Sequence, residues 1–76
     1  MDKIDDIAEA VITHRKKAGL TQRQLADLAG VGKTVVFDIE KGKASIRFDT
    51  LMKVLDALNI QISLDSPLMR RMNEKS

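Results

Sequence analysis

The first part of the chain carries an apolar stripe at helical spacing. Its apolar residues recur every three or four positions, which places them on one face of a helix. They are Ile4, Ile7, Ala8, Val11 and Ile12. Acidic side chains crowd the beginning of this segment and basic side chains its end, as the helix dipole favours. We therefore predict a helix over residues 2–18, ended by Gly19 as a left-handed C-terminal cap.

A second helix begins directly after this cap. Thr21 and Gln24 match a capping box, T-x-x-Q, in which each side chain binds the backbone N–H of the other residue. Leucine and alanine follow at helical spacing up to Gly30, which suits another C-terminal cap. The pattern predicts a helix over residues 22–29.

The segment after Gly32 predicts a third and shorter helix, over residues 33–41. Val36 and Ile39 are apolar at helical spacing, and Gly42 ends the segment. Two helices joined by a three-residue turn that contains glycine are typical of a helix-turn-helix motif.

The turn itself, AGVGKT at residues 29–34, looks like the end of a nucleotide-binding loop. That loop, G-x-x-x-x-G-K-[ST], needs a glycine where this chain has Asp27, whose carboxylate would repel phosphates. The loop also follows a strand, whereas the preceding residues here have helical spacing. We therefore interpret the stretch as the end of one helix, a turn and the beginning of the next.

The last part of the chain predicts one more helix and then a strand. Residues 48–58 have an apolar face, and Asn59 suits a C-terminal cap. The face consists of Phe48, Leu51, Met52, Leu55 and Leu58. Ile60, Ile62 and Leu64 then alternate with polar residues, a period of two that is typical of a strand.

A lone strand leaves its backbone groups unpaired, and no other segment of the chain predicts a convincing partner strand. We expect the strand to pair with its own copy across a two-fold axis, so that Ile60, Ile62 and Leu64 form a dimer interface. Residues 1–65 then make one domain with a dimerisation strand, and residues 66–76 a flexible tail.

Composition excludes several classes of protein. The 76 residues allow one small domain, and the absence of cysteine excludes disulfides and thiolate metal sites. No apolar run approaches the roughly 18 residues of a membrane span, so we expect a cytoplasmic protein without membrane contact. No residues are spaced as metal ligands or as a nucleophile with its base, so we expect no catalytic residues, no metal, no cofactor and no enzyme activity.

Positive charge is concentrated in the middle of the chain. Residues 14–47 contain eight Lys or Arg and three Asp or Glu, a net charge of +5, against +2 for the whole chain. On charge alone, a solvated mixed surface and a surface for a polyanion are equally good interpretations.

The stretch TQRQLADLAGVGKTVVFDIEKGKA, residues 21–44, resembles the helix-turn-helix of the XRE family, the phage-repressor type. RKKAGL before it and FDTLMKVLDALNI after it extend the resemblance to about residues 4–60. The resemblance implies a mostly helical, lambda-repressor-like domain of four to five elements. It also implies a homodimeric repressor on a palindromic operator in double-stranded DNA. The final strand resembles the HipB-type antitoxin branch, which implies a toxin partner and autorepression.

Several residues match positions that contact DNA in this family. Gln22 resembles a phosphate-clamping glutamine, and Lys33 and Thr34 resemble the base-reading pair at the beginning of the third helix. Further candidate contacts are Thr21, Phe37, Asp38, Lys41 and Lys43. Arg15 and Glu40 resemble a pair that forms a buried salt bridge and holds the third helix against the first.

Three residues leave alternatives open. Val35 and Phe37 are apolar off the inward stripe, and each suits either a thymine methyl group or a local packing gap. Asp38 departs from the family pattern, since phosphates repel a carboxylate, although it can accept from cytosine N4. Beside the antitoxin, two functions therefore stay open: a free-standing transcriptional regulator without a toxin, and a protein-interaction module that has lost DNA binding.

Overall fold

The structure, a computed structural model, describes residues 3–63 and 66–68. Residues 3–63 form four helices: α1 (Lys3–Lys17), α2 (Gln22–Ala29), α3 (Lys33–Glu40) and α4 (Phe48–Ala57). Each lies within one residue of its predicted bounds, so the mostly helical fold is confirmed. Within the described ranges, no helix is long and apolar enough to cross a membrane.

All four helices end in the same left-handed turn. The residues with a positive φ are Gly19, Gly30, Gly42 and Asn59, at 72°, 73°, 77° and 57°. After each of them the next backbone N–H donates back into the last helical turn, as when Ile60 donates to the Leu55 carbonyl at 2.9 Å. The C-terminal caps predicted at Gly19, Gly30 and Asn59 are thus confirmed, and Gly42, predicted to end the third helix, adopts the same conformation.

The capping box predicted at the beginning of α2 is present. Thr21 Oγ1 accepts from the Gln24 N–H at 3.0 Å, and Gln24 Oε1 accepts from the Thr21 N–H at 2.8 Å. Both donors belong to a helix start, where backbone N–H groups have no partner inside the helix. The box therefore sets the first residue of α2.

Thr21→Ala is expected to lower the free energy of unfolding by about 1 kcal/mol, the typical effect of removing a capping hydroxyl. Thr21→Ser keeps the hydroxyl and should unfold close to the wild type. Urea unfolding of the three proteins tests this, and equal midpoints for wild type and Thr21→Ala would show that the cap contributes nothing.

The core lies where α3 meets α1 and α2 and where α4 closes over α2 and α3. It consists of Val11, Leu25, Ala26, Val36, Ile39, Val54 and Leu55. Because the inner side chains of α3 are buried between three other helices, its opposite side is held rigidly towards solvent.

The predicted inner face of α4 is wrong at one position. Phe48 is 70% exposed, whereas Val54, which the prediction left out, is fully buried beside Leu55. Leu51 and Leu58 are partly buried against the core. Phe48 shares their face by spacing but lies in the first turn of α4, away from the buried centre of the helix.

Residues 60–63 have neither helix nor strand structure in the single chain. Ile60 packs partly against the core, and Ile62 is 43% exposed. The strand is predicted to form by pairing with a second copy of the chain, which a single chain does not test, so it stays a prediction. Leu64, the side chain of Ile4 and most of the predicted tail over residues 66–76 lie outside the described residues.

Candidate nucleic-acid interface

An open depression on the surface brings four of the predicted DNA contacts together. It is lined by Gln22, Lys33, Thr34 and Phe37. Gln22 is the first residue of α2, and Lys33 and Thr34 are the first two of α3. The packing of α3 against α2 places these helix starts side by side, while the spacing of three and four puts Phe37 on the same side of α3.

A largely buried ion pair holds α3 against α1. Arg15 Nε donates to Glu40 Oε2 at 2.6 Å and Arg15 Nη2 to Glu40 Oε1 at 3.0 Å, a bidentate arrangement. The side chains are only 12% and 7% exposed. Arg15 Nη1 also donates to the Leu20 carbonyl at 2.9 Å, so the pair reaches the turn before α2. The predicted partners therefore form the predicted pair.

The Glu40 carboxylate raises the pKa of Arg15 above its usual value, mainly through the side-chain hydrogen bond and against the effect of burial. Because the pKa of Arg15 is higher in the folded than in the unfolded state, the ion pair contributes its full stability at any pH below the unfolded-state pKa. That stability is lost only as the pH rises through the higher, folded-state pKa. The guanidinium therefore stays charged, and holds α3, at every pH near neutrality.

Gln22 takes part in this network, which the sequence did not predict. Its Nε2 donates to Glu40 Oε1 at 3.1 Å. Because a carboxylate only accepts, the amide must turn its nitrogen towards Glu40, and the second N–H of that nitrogen stays available for another acceptor. The ion pair thereby orients the amide at the rim of the depression. Gln22 and Glu40 are 18 positions apart, and no local pattern connects them.

Thr21 and Asp38, two of the predicted DNA contacts, already have partners within the protein. The Thr21 oxygen accepts a capping bond, although its O–H can still donate to a phosphate. The Asp38 side chain is only 24% exposed, and Lys43 Nζ lies 3.7 Å from its Oδ2. Lys43 therefore offsets the carboxylate that departs from the family pattern. Because Lys43 is itself 57% exposed, the pair is weakly bound and stays accessible.

Val35 and Phe37, the two apolar residues whose roles the sequence left open, have different surroundings in the structure. Val35 is partly buried and packs against the core, so its apolar character serves the fold. Phe37 is 45% exposed and lines the depression. Lys41 Nζ lies 5.0 Å from the centroid of the Phe37 ring, a cation–π contact. Lys41 is thus tied to the same surface as Lys33 and Thr34.

Within the described residues, no group of His, Cys, Asp or Glu side chains is arranged to hold a metal ion. The depression instead offers amide, ammonium and hydroxyl donors around one aromatic ring. Donors of these kinds bind phosphates and base edges.

Comparisons with known proteins agree with this geometry. A helix-turn-helix family model matches residues 12–64, which include all of α2, α3 and α4. The HTH-type transcriptional regulator y4mF of Sinorhizobium fredii is 36% identical over 66 residues, which cover 87% of each chain. The control protein C.SmaI of Serratia marcescens is 31% identical over 62 residues, 82% of this chain and 74% of that protein. An uncharacterised HTH-type transcriptional regulator of Haemophilus influenzae is 34% identical over 58 residues. These residues are 76% of this chain but only 59% of that relative, so the chain spans about three fifths of its length.

The fold is shared with solved structures of low sequence identity. A chain of the structure described as "Structure of HipA-HipB-O2-O3 complex" superposes with a TM-score of 0.76 and 22% identity over 88% of this chain and 94% of that one. A structure described as "MDT Protein" superposes with the same TM-score and coverage. Because the family model covers well over half of the chain and the regulator y4mF is 36% identical over most of both chains, the protein belongs to the XRE-type helix-turn-helix family of transcriptional regulators.

Proposed function

We propose that this protein is a sequence-specific DNA-binding repressor that places α3 in the major groove. The observation that carries the proposal is the depression in which Gln22, Lys33, Thr34 and Phe37 converge. Lys33 and Thr34 occupy the N-terminal turn of α3, the part of a recognition helix that contacts base edges. An α-helix with its side chains is about 10–12 Å in diameter, which matches the width of the major groove.

Each side chain has a role that its geometry supports. Lys33 donates to guanine O6 or N7, and Thr34 binds a neighbouring base edge or phosphate. Gln22, oriented by Glu40, donates its second amide N–H to a phosphate beside α2. Lys41 and Lys43 flank α3 and supply phosphate contacts without base preference.

Asp38 is less of an obstacle to DNA binding than the sequence suggested. Its carboxylate lies 3.7 Å from the Lys43 ammonium, so the local field at the end of α3 is not that of an isolated negative charge. The same carboxylate can still accept from cytosine N4. This pairing favours a DNA-binding repressor over an interaction module that has lost DNA binding.

We further propose that the repressor is a homodimer on a palindromic operator. The support is the segment over residues 60–63, which has neither helix nor strand structure in the single chain and in which Ile62 keeps 43% of its surface exposed beyond the end of α4. Antiparallel pairing of this segment with its copy would cover that surface and satisfy the backbone groups. The pairing would also hold two α3 helices at the separation that two half-sites require, about 34 Å.

A second candidate function is that of an antitoxin that represses its own operon. It is supported by the shared fold with a chain from the HipA–HipB complex and by the alternation of Ile60, Ile62 and Leu64 with polar residues, which predicts a strand after α4. The test is co-purification with the product of a neighbouring reading frame, followed by a growth assay of that product with and without this protein. Growth arrest that this protein relieves supports the antitoxin, whereas a neighbour without toxicity leaves a free-standing regulator.

Selection of bound DNA from a random pool tests the repressor directly. We expect an enriched palindrome whose half-sites lie about one helical turn apart. A pool that stays unenriched at low ionic strength would contradict sequence-specific binding. Enrichment of a single, asymmetric half-site would contradict the dimer but not the DNA-binding surface.

Lys33→Ala is expected to weaken binding to the selected operator by about 1–3 kcal/mol and to relax the preference at one base position per half-site. The physical reason is the loss of a donor to a base edge. Fluorescence anisotropy on operators with single base changes measures both effects. Unchanged affinity together with unchanged preference would exclude α3 from the groove in the proposed orientation.

Lys43→Ala is the matched control for a phosphate contact. It should weaken binding to all sequences alike and reduce the slope of log K against log [salt] by about one. Part of the loss comes from Asp38, whose carboxylate then has no neighbouring ammonium. A loss restricted to one base position would show that Lys43 reads sequence instead.

A further inference from the structure

One apolar side chain stands on the otherwise polar DNA-facing surface. The exposed large apolar residues among those described are Leu28, Phe37, Phe48, Ile62 and Leu68. Of these, Phe37 lines the depression together with Gln22, Lys33 and Thr34. It does not pack against the core, so folding does not explain a phenyl ring here. DNA can supply an apolar partner for the exposed part of the ring.

The position of Phe37 on α3 directs its ring towards the base-reading residues. Lys33, Phe37 and Lys41 follow one another at spacings of four, which forms a single row along the helix. Helical side chains lean towards the N-terminus, so the Phe37 ring leans over the turn that carries Lys33 and Thr34. Lys41 Nζ, 5.0 Å from the ring centroid, restrains the ring from the other side.

The major groove offers one apolar group on its base edges, the 5-methyl group of thymine. Given the proposed DNA-binding function, we propose that Phe37 is a specificity-determining residue that packs its ring against this methyl group. Lys41 is a positioning residue that keeps the ring in the orientation for that contact. The operator half-site therefore contains a thymine next to the base that Lys33 binds.

Removal of the methyl group is the direct test, because uracil pairs like thymine and lacks only that group. In the selected operator, each thymine of a half-site is replaced by uracil in turn, symmetrically in both halves, and affinities are measured by anisotropy. Burial of one methyl group contributes about 0.8 kcal/mol, so one position should show a roughly fourfold loss per half-site. The other uracil substitutions should have small effects.

The variants then assign the methyl effect to a residue. With Phe37→Ala, thymine and uracil at that position should bind equally, while preferences at the position that Lys33 reads persist. Phe37→Leu keeps an apolar contact and should retain part of the effect. Lys41→Met removes the ammonium and should reduce the methyl effect without abolishing it. Leu28→Ala, an exposed apolar residue that does not line the depression, is the control and should keep the full effect.

The outcomes of these experiments test the role of Phe37 separately from the proposed DNA binding. An operator that is bound tightly but shows no sensitivity to any methyl group overturns the role of Phe37 and leaves DNA binding intact. A methyl effect that persists unchanged in Phe37→Ala also overturns it, since another residue must then make the contact. Absence of any selected sequence overturns the proposed function and the inference together.

Discussion

Replacement of Glu40 by alanine is expected to lower the free energy of unfolding by about 3–5 kcal/mol, because it leaves the Arg15 guanidinium buried without its counter-charge. The two side chains are only 12% and 7% exposed, so solvent screens their charges little. Small domains are stable by about 5–15 kcal/mol, and a loss of this size removes a large share of it. Thermal and urea unfolding measure the change.

The double variant Arg15→Met with Glu40→Leu separates the lost charge from the lost packing. It removes both charges and keeps apolar bulk, so it should be clearly more stable than Glu40→Ala alone. Asp49→Asn, at the exposed Arg47–Asp49 pair, is the control and should melt close to the wild type. A Glu40→Ala protein that melts like the wild type would show that the pair is accessible to water in solution.

The same network connects stability to DNA binding. Glu40 also accepts from Gln22, so even a Glu40→Gln protein that folds should hold the Gln22 amide less firmly. We expect its operator affinity to fall uniformly across base positions, since Gln22 is proposed to bind a phosphate. Lys33→Ala, by contrast, is expected to relax the preference at one base position per half-site.

Replacement of Ile62 by proline is expected to yield monomers and to weaken operator binding by about 10²–10⁴-fold, the advantage that two linked half-sites have over one. Proline has no backbone N–H and fixes φ, so it interrupts a pairing of strands across the two-fold axis. Analytical ultracentrifugation at tens of micromolar gives the oligomeric state, and anisotropy gives the affinity. The helical domain itself should still fold, because Ile62 lies outside the core, although it loses the stability that dimer formation adds.

Ile62→Glu provides a second route to the same result, since a dimer would place like charges opposite each other. Gln61→Thr, on the opposite side of the predicted strand, is the control and should stay dimeric. A wild-type protein that sediments as a monomer at high micromolar concentration rules out the shared sheet. If the Ile62→Pro protein is still a dimer, the dimer interface lies in another part of the chain.

The sequence by itself determined the helices and their ends. The capping box of Thr21 and Gln24 and the left-handed residues Gly30 and Asn59 act over three to five positions, so their physics is local and can be inferred from spacing. The first turn of α3, which we propose to read bases, followed from the same local patterns together with the family resemblance. The pairing of Arg15 with Glu40 came from the resemblance alone, since 25 positions separate the two.

Only the tertiary structure decided which side chains meet across the helices. Phe48 and Val54 have comparable apolar character, yet the position of α4 on the other helices exposes the first and buries the second. The bond from Gln22 to Glu40 and the approach of Lys43 to Asp38 likewise depend on how α3 is seated and how its following turn folds back. Such contacts are set by the relative placement of whole elements, which no short-range spacing encodes. For the same reason the exposure of Phe37 beside Lys33, and with it the proposed thymine contact, became visible only in the assembled fold.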